Sequence, residues 1–278
     1  MTGRESNRDL RHEPEMRKIT PAIGIPVERY MSTRAFLQFW QIAQQGFPLL
    51  ARNYSRCDIH RNEYGRLMLN NRRFSHLIML DSDHTHPSDV VQRLAQSAGQ
   101  HPDKLIIGGL NFRRTEPYDP CIFKYDPAGK LRQPAKWGKG LLEVDVLGHG
   151  CVIIAREVFE RIPPPWWLYE YNGDYSDPSK EYSFPSDDVG FSLLCAKHGI
   201  KLWCDTTLTS PHIGETLVGP EPFKEYLAAH PEFIFEEVSK NAEICGSGNI
   251  PTGDTGPGLD GRRSAAVRRE VPGEIRAV

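Results

Sequence analysis

Long apolar runs are missing from this chain. None approaches the ~18–20 residues of a membrane-spanning helix, so no integral membrane association is expected. An excess of one charge is missing too: Lys plus Arg number 34 and Asp plus Glu 36, a formal charge of −2. That excludes a global cationic field for nucleic acid as the default, though not a local basic patch. No Cys-x-x-Cys pair occurs, and none of the six cysteines stands with histidine at a zinc spacing. Cys151, Cys195 and Cys204 lie among apolar neighbours, which reads as buried free thiols in a reducing compartment. The first residues, Met1 to Lys18, lack the apolar segment of a secretory signal, so the expected address is cytoplasmic. With 22 prolines and 24 glycines, the chain is too rich in breakers for a helical bundle.

Both ends are poor in apolar residues. Residues 1–18 and 246–278 bury too little to offset the entropy of ordering and are expected to be disordered. Residues 19–245 are expected to form one catalytic domain. There, short apolar segments alternate with helical patterns. Ala22–Val27, Phe47–Ala51, His76–Leu80 and Lys104–Gly108 read as strands. Between them, a helix capped by Ser32 or Thr33 carries Phe36, Leu37, Trp40 and Ala43 on one face. A second spans residues 62–71, and a third follows Pro87 or Ser88 and ends at Gly99. This β-α-β-α-β run predicts an α/β fold: a Rossmann-type, mostly parallel central sheet with helices on both faces. Further strands are expected at Leu142–Leu147, Cys151–Ala155 and Lys201–Asp205, and helices at Glu157–Ile162, Asp187–Lys197, Pro222–Ala229 and Glu232–Lys240.

Three groups of residues carry candidate chemistry. Leu80-Asp81-Ser82-Asp83-His84 places two carboxylates just past a buried strand, where open α/β sheets bind ligands. Alternate residues there face one site, and carboxylates are hard ligands for Mg2+ or Mn2+. The plainer reading is a turn in which the same side chains bind backbone N–H groups. Ser186-Asp187-Asp188-Val189-Gly190 opens a helix. Its carboxylates serve either as ordinary capping charge or as a general base. His212, in Ser210-Pro211-His212-Ile213-Gly214, is either structural or a third metal ligand. The aromatic stretch containing Trp166, Trp167, Tyr169, Tyr171, Tyr175 and Tyr182 packs in the core or stacks on sugars and bases. Arg113 and Arg114 follow a strand and are either solvated or face phosphate.

Taken in order, LIMLDSDHTHP, VLGHGCVIIAREVFERI, SDDVGFSLLCAKHGIKLWCD and SPHIGE resemble the glycosyltransferases of the A fold, close to family 2. The resemblance covers about Ile19 to Gly214 and implies a GT-A-like domain with an inverting, nucleotide-sugar-dependent reaction. It implies Mn2+ or Mg2+ on Asp81 and Asp83, with His212 completing the site. It places the base at Asp187 or Asp188, where the family usually has Glu-Asp. The donor is implied at Pro26, Glu28, Arg61, Asn62, Ser82, Gly148, His149 and Gly150, and the acceptor at Trp166 and Trp167. The implied partners are a nucleotide-diphosphate sugar, with UDP-sugar favoured, and an acceptor that is a saccharide, a protein or a modified nucleic-acid base.

A nucleotidyltransferase would be expected to carry a glycine-rich basic loop after the first strand, where this chain reads PVERYMSTRAF. A metal-dependent hydrolase would need more His or Asp at other strand ends, with only His84 and His86 as close extras. A non-catalytic nucleotide- or sugar-binding module is the third class.

Overall fold

The structure is a computed structural model, and it describes residues 18–27, 30–52, 55–169, 186–214 and 217–231. In chain order the elements are β1 (Pro21–Pro26), α1 (Thr33–Ala43), β2 (Leu49–Arg52), α2 (Cys57–Asn70), β3 (His76–Leu80), α3 (Val90–Gln100) and β4 (Ile106–Leu110). Then come β5 (Ile122–Tyr125), β6 (Leu131–Arg132), β7 (Leu141–Val144), β8 (Val146–Leu147), β9 (Cys151–Ala155) and α4 (Arg156–Arg161). The last are α5 (Asp187–Lys197), β10 (Leu202–Thr209), β11 (His212–Ile213), β12 (Leu217–Val218) and α6 (Pro220–Ala229).

A seven-stranded sheet of order β2-β1-β3-β9-β4-β10-β7 forms the centre. Its strands β2, β1, β3, β4 and β10 run parallel, while β9 and β7 run antiparallel to their neighbours. The period of two in each strand divides the core. Leu77 and Met79 of β3, with Val152 and Ile154 of β9, pack against Tyr64, Met68, Val158, Phe159 and Phe191 of α2, α4 and α5. Ile78 and Leu80, with Cys151 and Ile153, pack against Phe39 and Ile42 of α1 and Val91 and Leu94 of α3. Both faces are thus covered, which is why these strands read as continuous apolar runs. This is the expected Rossmann-type α/β architecture, a mostly parallel central sheet with helices on both faces. Among the described residues, no helix is long and apolar enough to cross a membrane.

Several expectations are corrected. Helix α1 starts as predicted, with Ser32 Oγ accepting from Ala35 N–H at 3.1 Å. Its buried face, however, is Ala35, Phe39 and Ile42, whereas Phe36, Leu37 and Trp40 are more than half exposed. Apolar residues cover more than half of the helix circumference, leaving Arg34, Gln38 and Gln41 on the polar side, so two apolar stripes have helical spacing. The one of Ala35, Phe39 and Ile42 packs on the sheet. Leu142–Leu147 is two strands, with β7 on the edge of the main sheet and β8 in a three-stranded sheet β6-β5-β8. They part at Asp145, whose carboxylate accepts the Tyr125 N–H at 2.8 Å. The β5–β6 hairpin was not predicted. Asp126 Oδ1 closes its turn by accepting from Ala128 N–H and Lys130 N–H. The segment expected as a helix over Glu232–Lys240 and the terminal tails lie outside the described residues.

Candidate active site at the C-terminal edge of the sheet

Strands β3, β4 and β10 end on one edge, and helices α2 and α5 begin there. The turn after β3 is tied to the start of β11. Ile213 N–H donates to Asp83 O at 2.7 Å, and Thr85 N–H donates to Pro211 O at 2.8 Å. This clasp brings the His84 and His212 rings to a centroid distance of 3.7 Å, tilted by 36°. Asp83, His84 and His212 each offer a ligand atom, all within 4.8 Å of one another.

The tautomers of these histidines follow from their partners. His212 Nδ1–H donates to the Phe112 carbonyl, which leaves Nε2 unprotonated. That Nε2 faces Asp83 Oδ2 at 3.8 Å. A lone pair opposite a carboxylate oxygen is repulsive unless a cation lies between them, and a backbone carbonyl on Nδ1 is the usual brace of a metal-ligating imidazole. His84 Nδ1–H donates to Asp83 Oδ1 at 2.9 Å. A carboxylate with neighbouring imidazoles is a donor set that suits a divalent metal ion. Burial, then the charge of His84, lowers His212 to about 4, so the ring is neutral near pH 7. At Asp83 burial acts upward, but the hydrogen bond from His84 and the charges of His84, His212 and Arg114 outweigh it and hold the carboxyl low. Arg114 Nη1 lies 3.4 Å from Asp83 Oδ2.

Of the expected ligands, Asp83 and His212 come together with His84, while Asp81 is paired with Arg61. Arg61, on α2 and 4% exposed, donates from Nη2 to both Asp81 oxygens at 3.1 and 3.0 Å. Its Nη1 donates to Asp187 Oδ2 at 2.9 Å. Burial raises the pKa of both carboxyls, and the arginine works against that rise. Behind them His86, held by Asp81 O and Ser210 Oγ, is lowered to about 3 by burial and by the charge of His84.

The two carboxylates that open α5 therefore differ. Asp187 is buried in the Arg61 pair. Asp188 is half-buried, and its Oδ1 accepts from Val189 N–H at 2.9 Å and from Ser186 Oγ–H. Its other oxygen lies 3.7 Å from where a β-carbon on Gly148 would stand, and the same β-carbon would meet Cys121 Cβ at 2.7 Å. A β-carbon on Gly150 would meet the His84 ring at 2.7 Å, so the Gly148–Gly150 loop lies against both the cluster and Asp188 because it lacks these atoms.

Trp166 and Trp167 are 1% and 0% exposed, so neither ring is a surface platform for an acceptor. Trp167 stacks on Phe191 at 4.4 Å and donates Nε1–H to His149 Nδ1 at 2.9 Å. Asn62 is also structural. Its Oδ1 accepts from Trp166 N–H and Trp167 N–H, and its Nδ2 donates to Asp58 O and Trp167 O. His149 is buried, and its Nε2 has no partner among the described residues. Pro26 ends β1 in the core, and Ser82 lies half-buried in the turn between Asp81 and Asp83. Glu28, Tyr171, Tyr175 and Tyr182 lie outside the described residues. His84, weighed in the sequence only as an extra ligand of a metal-dependent hydrolase, lies in the structure beside Asp83 and His212.

No family model matches the chain, and no curated protein matches it. Solved structures with a similar course of the chain include A197 from STIV, at 15% identity over 70% of this chain and 86% of that one, with a TM-score of 0.49. They also include GalNAc-T7 with UDP, GalNAc and Mn2+, at 12% identity over 76% of this chain and 48% of that one, with a TM-score of 0.44. The inositol-1-phosphate CTP transferase from T. maritima matches at 8% identity over 78% and 98%, with a TM-score of 0.37. At these scores the likenesses carry no functional weight, and the functional reading rests on the side chains of the site.

Proposed function

We propose that the chain is a metal-dependent glycosyltransferase that moves a sugar from a nucleotide-diphosphate sugar to an acceptor hydroxyl. The observation that carries this reading is His212 Nε2 facing Asp83 Oδ2 at 3.8 Å, with His84 beside them. A divalent ion there, Mn2+ or Mg2+, would neutralise charge developing on a departing diphosphate.

The chain's own groups have distinct parts. Asp188 accepts the proton of the acceptor hydroxyl as that oxygen bonds to the anomeric carbon and the bond from that carbon to the diphosphate breaks. Asp187 is the weaker candidate for the base, because Arg61 occupies it. Arg61 holds Asp81 and Asp187 in place and joins the cluster after β3 to the start of α5. The Gly148–Gly150 loop gives the sugar close access to the backbone, and Arg114 lies within reach of phosphate. In line with the resemblance, the reaction inverts configuration and UDP-sugar is the favoured donor. The acceptor class is a saccharide, a protein or a modified nucleic-acid base. Residues 19–245 form the catalytic domain under this reading.

The test is release of nucleoside diphosphate from UDP-, GDP- and TDP-sugars with Mn2+ present. Turnover is expected in the wild type and lost in Asp83→Ala. Turnover of free nucleoside triphosphates instead would favour a nucleotidyltransferase. Undiminished turnover in Asp83→Ala would remove the assignment.

A further inference from the structure

Among the described aromatic residues of the stretch after α4, Tyr169 rather than either tryptophan stands part-exposed beside the Arg61–Asp187 pair. The stretch is anchored hard. Trp166 and Trp167 are buried, and Asn62 clamps their backbone from α2. On the other side the Leu168 carbonyl comes within 2.7 Å of where a β-carbon on Gly190 of α5 would stand, an approach only glycine permits. The next residue, Tyr169, follows directly from this anchor, close to the starts of α2 and α5, and is 43% exposed. The Arg56 guanidinium sits 5.1 Å from its ring centroid. That guanidinium is in turn held by Asp58 through a fork of two bonds, Nε to Oδ1 at 3.0 Å and Nη2 to Oδ2 at 2.6 Å. Burial raises the Tyr169 phenol, and the Asp187 carboxylate raises it further, which places the ring in the field of the Arg61–Asp187 pair.

A part-exposed ring with a cation braced over one face, beside the buried Arg61–Asp187 pair, is a stacking platform. The cation draws ring electron density toward itself. The opposite face then becomes a poorer partner for the polarised C–H bonds of a sugar. It remains suited to offset stacking on another flat π system.

We propose that Tyr169, backed by Arg56 and Asp58, stacks on the base of the nucleotide in the glycosyl donor. The proposal rests on the nucleotide-sugar reading of the site and adds a subsite to it.

Isothermal titration in the presence of Mn2+ tests it, with uridine, guanosine and thymidine diphosphates and with inorganic pyrophosphate as ligands. The wild type is expected to bind at least one nucleoside diphosphate more tightly than pyrophosphate. Tyr169→Ala is expected to weaken that nucleotide roughly ten- to hundredfold, the size of one base–aromatic stack, and to leave pyrophosphate unchanged. Tyr169→Phe is expected to behave as the wild type. Unaltered nucleotide affinity in Tyr169→Ala overturns the subsite and leaves the glycosyltransferase reading standing. The same holds if that variant only raises the KM for the acceptor. A wild type that binds none of these nucleotides overturns both. Thermal unfolding of each variant confirms that it is folded.

Discussion

Asp187 and Asp188 are neighbours in the chain with unlike surroundings, and each surrounding assigns a part. Asp187 is an acceptor for a buried guanidinium, while Asp188 lies half-buried beside Gly148. Asp188→Asn is expected to lower turnover by roughly 10²–10⁴-fold with little change in unfolding temperature. Arg61→Met should do the reverse in kind. It leaves Asp81 and Asp187 buried without their cation and is expected to cost about 3–5 kcal/mol in urea denaturation. His86 gives a pH signature. Its pKa is lowered to about 3 in the folded state, against an ordinary 6.5, so the unfolded chain takes up the proton first. Its stabilising contribution is complete above the ordinary histidine pKa and is lost as pH falls below it. Between pH 7.5 and 5.5 the wild type should lose about 1 kcal/mol more than His86→Gln by denaturant titration.

At the scale of elements, α1 shows where reading a sequence stops. Its start was legible because Ser32 is a cap, and a cap acts within one turn. Its buried face was not, because TRAFLQFWQIA offers two apolar stripes and only the sheet beneath chooses between them. Phe39→Ala is therefore expected to destabilise by about 3–5 kcal/mol and Phe36→Ala by no more than about 0.5 kcal/mol, measured by the same denaturation. The predicted face would give the opposite ranking. Strands β3 and β9 were legible throughout, since burial on both sides makes every position but His76 apolar. The tryptophan pair was ambiguous for the converse reason: an aromatic run reads alike whether it packs inward or outward. Three-dimensional contacts with Asn62 and Phe191 decide the matter.

At the scale of the molecule, the near-zero net charge conceals a concentration of opposite charges at one edge of the sheet. Asp83 and Asp188 came to that edge as the strand-end and helix-start patterns predicted. Arg61 arrived from α2, 20 residues before Asp81 and 126 before Asp187 in the chain. Its bridging part was therefore not readable locally. His84 was hidden in a different way, because its role depends on β11 returning to lie beside the turn after β3. The central claim is that this turn and β11 together hold a divalent ion that meets the diphosphate of a nucleotide sugar. Anomalous scattering at the manganese edge, from a crystal soaked with Mn2+ and uridine diphosphate, tests it most directly. The account predicts a manganese peak bonded to Asp83 and His212, with His84 alongside and the diphosphate in contact with the metal. A manganese peak elsewhere, or nucleotide bound away from this edge, would contradict it.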